Sequence, residues 1–339
     1  MKIKEAIAKL INRENLSERE MVVAMDEIMS GSATHAQIGS FLTALRMKGE
    51  TVEEIAGAAI VMRDKALKIQ TPPNSVVVDT CGTGGDGSGT FNISTTAAFI
   101  TAGAGLVVAK HGNRSVSSKS GSADVLAQLG VNIEAEQAMV EECLEKCGIG
   151  FLFAPMMHGA MKHAIGPRRE LGVRTIFNLL GPLTNPAGAR RQVVGVYSDA
   201  LTEPIAKVLN NLGGVRSFVV HGRDGLDEVT LTTNTKISEA YSGGVKTWEF
   251  DPRKHGFQYC SPDDLKGGDA AENARITMAI LSGKERGPKR DVAVINAAFA
   301  ILSGETVKDL NEALKLAAKS LDDGAALDRL NRMKEIVGV

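Results

Sequence analysis

The chain has 339 residues, 43% of them hydrophobic, which is enough to bury a large core and to form two domains or one domain with an added lobe. Its 39 Lys and Arg against 40 Asp and Glu leave a net charge of -1, so no global field recruits nucleic acid or an anionic membrane, and any anion must be held locally. No uninterrupted apolar run reaches the length of about 18 residues that a membrane helix needs, and the four cysteines contain no C-x-x-C pair, which points to reduced thiols.

Apolar residues recur at helical spacing over 1–12, 17–29, 35–47 and 51–66. Lys2, Lys4, Glu5 and Lys9 interrupt the first of these, so it lacks the apolar core of a signal peptide, and a cytoplasmic protein is expected. Ser17 with Glu20, and Thr51 with Glu54, have capping-box spacing. These helices predict a small lobe that ends at Thr71-Pro72-Pro73, because a residue before proline is pushed out of the helical region. From Ser75 the pattern changes to strand 75–80, helix 93–104, strand 106–110, helix 120–129 and strand 149–154. Cys143 and Cys147, four apart, fit one helix face better than a metal site.

Residues 156–189 have helical periodicity broken at Gly166-Pro167, Gly181-Pro182 and Asn185-Pro186, with no strand, and are expected to return to the helical lobe. Strand 192–197, helix 202–212, strand 215–220, strand-like runs at 236–241 and 246–250, and helices at 271–282, 291–303 and 306–337 follow. The expected fold class is α/β, with a mostly parallel central sheet flanked by helices and a smaller all-helical domain. The expected division is 1–72, joined by 156–189, against an α/β domain of 73–155 and 190–339.

The chemistry concentrates in Asp79 to Thr95, D-T-C-G-T-G-G-D-G-S-G-T-F-N-I-S-T, between a strand end and a helix start. Gly82, Gly84, Gly85, Gly87 and Gly89 let the backbone approach a ligand, and the interleaved Thr83, Asp86, Ser88, Thr90, Asn92 and Ser94 supply short oxygen-bearing side chains. Free N-H groups and a helix dipole there suit a phosphate. The loop is neither a Walker A loop, lacking Gly-Lys-Ser/Thr, nor a dinucleotide fingerprint. A second donor-rich loop, Lys110 to Ser122 (K-H-G-N-R-S-V-S-S-K-S-G-S), leaves the next strand at the same carboxyl edge, where open α/β sheets bind ligands. Asp224-Gly225-Leu226-Asp227-Glu228 is either a turn in water or, opposite a polyphosphate, a set of hard oxygen ligands for Mg²⁺. His158 and His163 lack H-E-x-x-H spacing and are expected to make packing or polar contacts. Of Arg168 and Arg169, one can face the cleft between lobes and grip a carboxylate; their spacing does not choose.

Five motifs, the G-T-G-G-D loop with N-I-S-T, K-H-G-N-R-S-V-S-S, S-G-S-A-D-V-L, R-R-E-L-G-V-R-T-I-F-N-L-L-G-P-L-T-N-P and D-G-L-D-E-V, resemble the anthranilate phosphoribosyltransferase family in order and spacing, almost from end to end. The resemblance implies an enzyme of tryptophan biosynthesis, in which anthranilate and phosphoribosyl pyrophosphate give phosphoribosyl anthranilate and pyrophosphate. It also implies a homodimer formed through the helical domain, Mg²⁺ (two ions per subunit), and the two-lobe fold of the nucleoside phosphorylase relatives. Met157 and Gly159 depart from the family pattern, which often has histidine and proline there.

Carried over by position, the resemblance assigns phosphoribosyl pyrophosphate to Gly82, Gly85, Asp86, Thr90, Asn92, Ile93, Ser94 and Thr95, and to Lys110, His111, Gly112, Asn113, Arg114, Ser115, Val116, Ser117, Ser118 and Ser122. It assigns the metal to Ser94, Asp227 and Glu228, and anthranilate to Gly82, Asn113 and Arg168. No dedicated nucleophile or base is expected; Mg²⁺, Lys110, Arg114 and loop N-H groups would hold the leaving group's charge. A pyrimidine nucleoside phosphorylase would need only a single-phosphate site, and a noncatalytic nucleic-acid-binding relative should show a basic patch and broken loops.

Overall fold

The computed structural model describes residues 2–115 and 119–338. Its single sheet has seven strands: β1 (Val77–Gly82), β2 (Val107–Gly112), β3 (Ile149–Phe153), β4 (Arg191–Gly195), β5 (Arg216–Gly222), β6 (Thr235–Tyr241) and β7 (Gly244–Phe250). They lie in the order β3-β2-β1-β4-β5-β6-β7. The strands from β3 to β5 are parallel, while β6 and β7 add an antiparallel edge. The mostly parallel sheet that the alternating pattern implies is therefore present.

The chain steps outward from β1 to β2 and β3, then returns to place β4 on the other side of β1. The connections after β1 and β4 run to opposite sides of the sheet, which makes the carboxyl ends of these two strands the topological switch point, the usual place of a ligand crevice in an open α/β sheet.

Helices cover both faces. Val78 and Val108 of one face pack with Phe99 and Phe299 of helices Ile93–Gly103 and Pro288–Ser303. On the other, Val194 and Val219 join Ile205 and Val208 of helix Thr202–Asn211, and the same apolar cluster continues into Phe41 and Ile55 of the helical lobe. Arg63 fastens the two parts: its Nε donates to the Leu183 carbonyl at 2.6 Å and its Nη1 to Leu212 at 3.2 Å.

The lobe's helices are Ile3–Ile11, Glu18–Met29, His35–Lys48 and Val52–Lys65. The Ser17/Glu20 and Thr51/Glu54 capping boxes form, and a third, Thr34/Gln37, joins the expected pair. Glu54 also works inside the lobe, where its buried carboxylate takes the Leu16 N-H at 2.9 Å and the Lys48 ammonium at 2.9 Å. Between 156 and 189 there is no strand, and Ala164, Ile176, Phe177 and Leu180 bury their side chains in the cluster shared with the lobe.

Three expectations need correction. The first two strands end two residues later than expected, at Gly82 and Gly112, so His111 and Gly112 belong to β2 and not to a loop. Helix Gln137–Lys146 is absent from the expected order, although Cys143 and Cys147 do lie on one buried turn at its end. The last helical stretch is two helices, Leu310–Asp322 and Ala325–Val337, because Gly324 takes a left-handed φ of 75° that breaks the ladder while the apolar period continues.

Candidate active site

Beyond β1, Gly84, Gly85, Gly87 and Gly89 have φ of 64°, 79°, 72° and 69°, conformations that side chains rarely adopt. The loop is clamped along its length. Thr83 N-H donates to the Gly195 carbonyl at 2.9 Å and Thr83 Oγ1 accepts from Tyr197 N-H at 3.1 Å. Gly84 N-H donates to Asp227 Oδ2 at 3.0 Å, Arg174 donates to the Gly85 carbonyl, and Gly267 N-H donates to Gly89 at 3.0 Å. The N-H groups of Gly85 through Gly89 meet no protein acceptor among the described residues, so these donors of the clamped loop remain available to an anion.

Asp227 and Glu228 reach this loop from the far side of the switch point. The turn after β5 brings the Asp227 backbone so close to β4 that a Cβ at Gly195 would overlap the Asp227 carbonyl. Glu228 Oε1 accepts the Ser94 N-H at 3.1 Å, at the start of helix Ile93–Gly103. Asp224 goes elsewhere: it accepts from Thr230 Oγ1 at 2.7 Å, from Thr232, and from Leu226 N-H, and so serves as a turn residue.

Burial and then the Asp86 charge push the Asp227 carboxyl up to about 7; burial and then Asp227 push Glu228 up to about 8. Asp86 adds a buried Oδ2 with no hydrogen-bond partner among the described residues. Crowded, under-compensated carboxylate oxygens are hard ligands that a divalent cation fits. Among the described residues no three His, Cys, Asp or Glu side chains group as a metal site, so Asp227 and Glu228 stand as a pair of carboxylates.

The second loop is arranged differently from expectation. Lys110 is buried and donates from Nζ to the Thr80 carbonyl at 2.5 Å, so its charge lies under the glycine loop. Burial, opposed by Asp79, lowers its pKa. His111 Nδ1 is 3.0 Å from the Gly181 carbonyl and its Nε2 is 3.2 Å from His158 Nε2. Desolvation pushes the two rings down to about 3 and about 4, with His158 also lowering His111. His158 thus makes the polar contact expected of it, in the floor behind β2. Asn113 Oδ1 accepts from Arg114 N-H at 2.8 Å, and Ser122 Oγ donates to the Asn113 carbonyl at 3.3 Å. Arg114 directs its guanidinium at Asp124 (3.3 Å) and Glu134 (3.9 Å), not at the glycine loop. Val116, Ser117 and Ser118 lie outside the described residues.

Arg168, on helix Ile165–Leu171, is half-buried with its guanidinium 4.9 Å from the centre of the Phe177 ring, and no carboxylate pairs with it among the described residues. Arg169 is exposed. Two residues escape the reading from sequence. Arg174 stacks on Tyr197, 4.1 Å from its ring centre, while holding Gly85. Asn273 contacts Asn92 from helix Ala270–Leu281. Nothing local marks either, since each acts across more than 85 residues of chain.

Residues 4–66 match the family model described as the helical bundle domain of a glycosyl transferase family, and 74–327 match its a/b domain. Over 333 residues the chain is 57% identical to the anthranilate phosphoribosyltransferase of Acetivibrio thermocellus, covering 98% of this chain and 96% of that one. This chain belongs to the anthranilate phosphoribosyltransferase family. The crystal structure of the family member from Thermus thermophilus superposes with a TM-score of 0.93 at 40% identity, over 98% of this chain and 99% of that one. A Saccharomyces cerevisiae member in complex with PRPP and Mg gives 0.89 at 30%, over 99% and 97%. The family's reaction is this chain's: transfer of phosphoribosyl to anthranilate, a glycosyltransferase step of tryptophan biosynthesis.

Proposed function

We propose that the crevice between β1 and β4 binds phosphoribosyl pyrophosphate (PRPP) along residues 82–95 and the β2 end, and presents its C1 to anthranilate held by Arg168. One observation carries this reading: the open N-H row of the glycine loop, the start of helix Ile93–Gly103 and the Asp227/Glu228 pair converge on one crevice. A single-phosphate site needs none of the paired carboxylates. Ser94, Asp227 and Glu228 would hold magnesium, two ions per subunit, whose charge offsets that of the leaving pyrophosphate. The yeast relative named with PRPP and Mg supports that choice.

As the C1–O bond to pyrophosphate breaks, an oxocarbenium-like centre forms and the leaving group's charge grows. The loop N-H groups stabilise that charge, and buried Lys110 adds its field from beneath. Anthranilate's aryl amine is neutral at pH 7, so its lone pair attacks once positioned, and no strong base is needed. The Arg168 guanidinium, stacked over Phe177 and without a carboxylate partner among the described residues, suits the ortho carboxylate. The test is anthranilate consumption with PRPP. It should be saturable and Mg²⁺-dependent, and a phosphate plus thymidine control should be inert; turnover of the control instead would overturn the reading.

The helical domain, residues 1–72 with 156–189, forms a homodimer in this reading. No helix among the described residues is long and apolar enough to cross a membrane, and the four cysteines are free, in keeping with a cytoplasmic setting. A groove of about 490 Å³ between helices Ile3–Ile11 and His35–Lys48 is lined by Leu10, Ile11, Gly39, Ala44 and Met47, with Ile11 67% and Met47 71% exposed. Gly39 has no neighbour that a Cβ would meet, which leaves space for a second copy to approach. Met47→Glu should shift the mass seen by light scattering from dimer to monomer. A persistent dimer would place the interface elsewhere.

A further inference from the structure

We propose that Asn273 is a positioning residue of the donor site: it holds Asn92 away from its own helix, so that the Thr95 amide stays open to a ligand phosphate. The inference rests on the reading that this crevice takes the pyrophosphate of PRPP.

Asn92 occupies the N-cap of helix Ile93–Gly103, and asparagine is among the best residues for accepting a first-turn N-H there. It makes no such bond. Its Oδ1 accepts instead from Asn273 Nδ2 at 3.0 Å and from Ser120 Oγ at 3.3 Å, and its Nδ2 donates to the Ser120 carbonyl at 3.2 Å. Asn273 is 2% exposed, and its Oδ1 takes the Gly268 N-H at 2.8 Å, so its amide group can turn only its donor toward Asn92.

The consequence lies in the first turn. Ile93 N-H is bonded to the Phe91 carbonyl at 2.8 Å and Ser94 N-H to Glu228. Thr95 N-H, which an Asn92 cap would satisfy, has no acceptor among the described residues. Thr95 Oγ1 is likewise buried without a partner, on a residue only 1% exposed. Two donors on one residue thus remain for a ligand oxygen. Asn273 also belongs to a wider brace, since Phe91 N-H donates to Leu265 at 3.3 Å and Gly267 N-H to Gly89 at 3.0 Å.

Removing the brace frees Asn92 to cap its own helix and compete with the phosphate. In Asn273→Ala, the Kd for inorganic pyrophosphate with Mg²⁺ by calorimetry and the KM for PRPP should each rise about tenfold, the scale of one hydrogen bond to a charged group. The kcat at saturating PRPP and the anthranilate KM should stay within about twofold, and exchange of the Thr95 amide should slow. Ser120→Ala, a milder loosening of Asn92, should move the pyrophosphate Kd in the same direction by less. A fall in Tm with both constants unchanged would make Asn273 merely structural and overturn the proposal. If Asn273→Ala does not fold, an unchanged pyrophosphate Kd in Ser120→Ala overturns it. Failure of the wild-type protein to bind pyrophosphate would instead refute the underlying site.

Discussion

Asp227→Asn combined with Glu228→Gln should abolish most turnover while leaving the protein at least as heat-stable as before. The two carboxylates are crowded: burial raises both pKa values first, with the Asp86 charge adding to it at Asp227 and the Asp227 charge adding to it at Glu228. Isosteric amides remove that repulsion, and an amide oxygen can still accept the Gly84 and Ser94 N-H groups. What is lost is the anionic charge that would retain Mg²⁺. We expect a fall in kcat of at least about 10³-fold, the upper end of the cost of deleting one electrostatic stabiliser of a developing charge. Initial rates across a Mg²⁺ series, with a melting curve beside them, check this. A double variant with wild-type Mg²⁺ response would show that the metal sits elsewhere.

Arg168→Ala should damage acceptor use selectively. The guanidinium has no carboxylate partner among the described residues and is only stacked over Phe177. A hydrogen bond to a charged partner is worth about 1.5–3 kcal/mol, so kcat/KM for anthranilate should fall roughly 10 to 150-fold. The PRPP KM should barely move. Exposed Arg169 is the control: a large rise in anthranilate KM for Arg169→Ala, with Arg168→Ala near wild type, would reverse the assignment.

What the sequence discloses follows the range over which each signal acts. Capping boxes at Ser17 and Thr51, the glycine loop and the helical character of 156–189 are written in neighbouring residues, and each is present. The crevice itself needs the strand order, which brings Asp227 to Gly84 across 143 residues. No local pattern encodes that distance; motif order supplies it through family resemblance. Lys110 and Arg114 show the opposite limit. Their charge is visible in sequence, but burial beneath Thr80 and pairing with Asp124 depend on tertiary packing. Arg174 and Asn273 escape notice because an arginine beside a glycine turn and an amide on a helix are both ordinary surface patterns.

The clamps on the glycine loop also bear on the thermodynamics of substrate capture. A stretch with four left-handed glycines has more backbone freedom to lose than almost any other sequence, about 1–2 kcal/mol of entropy for each residue fixed. Here Gly195, Tyr197, Asp227, Arg174 and Gly267 fix it through contacts made within the folded chain. The ordering cost is therefore met during folding, and a pyrophosphate bound as proposed would meet a preorganised cradle whose affinity is not reduced by having to assemble it.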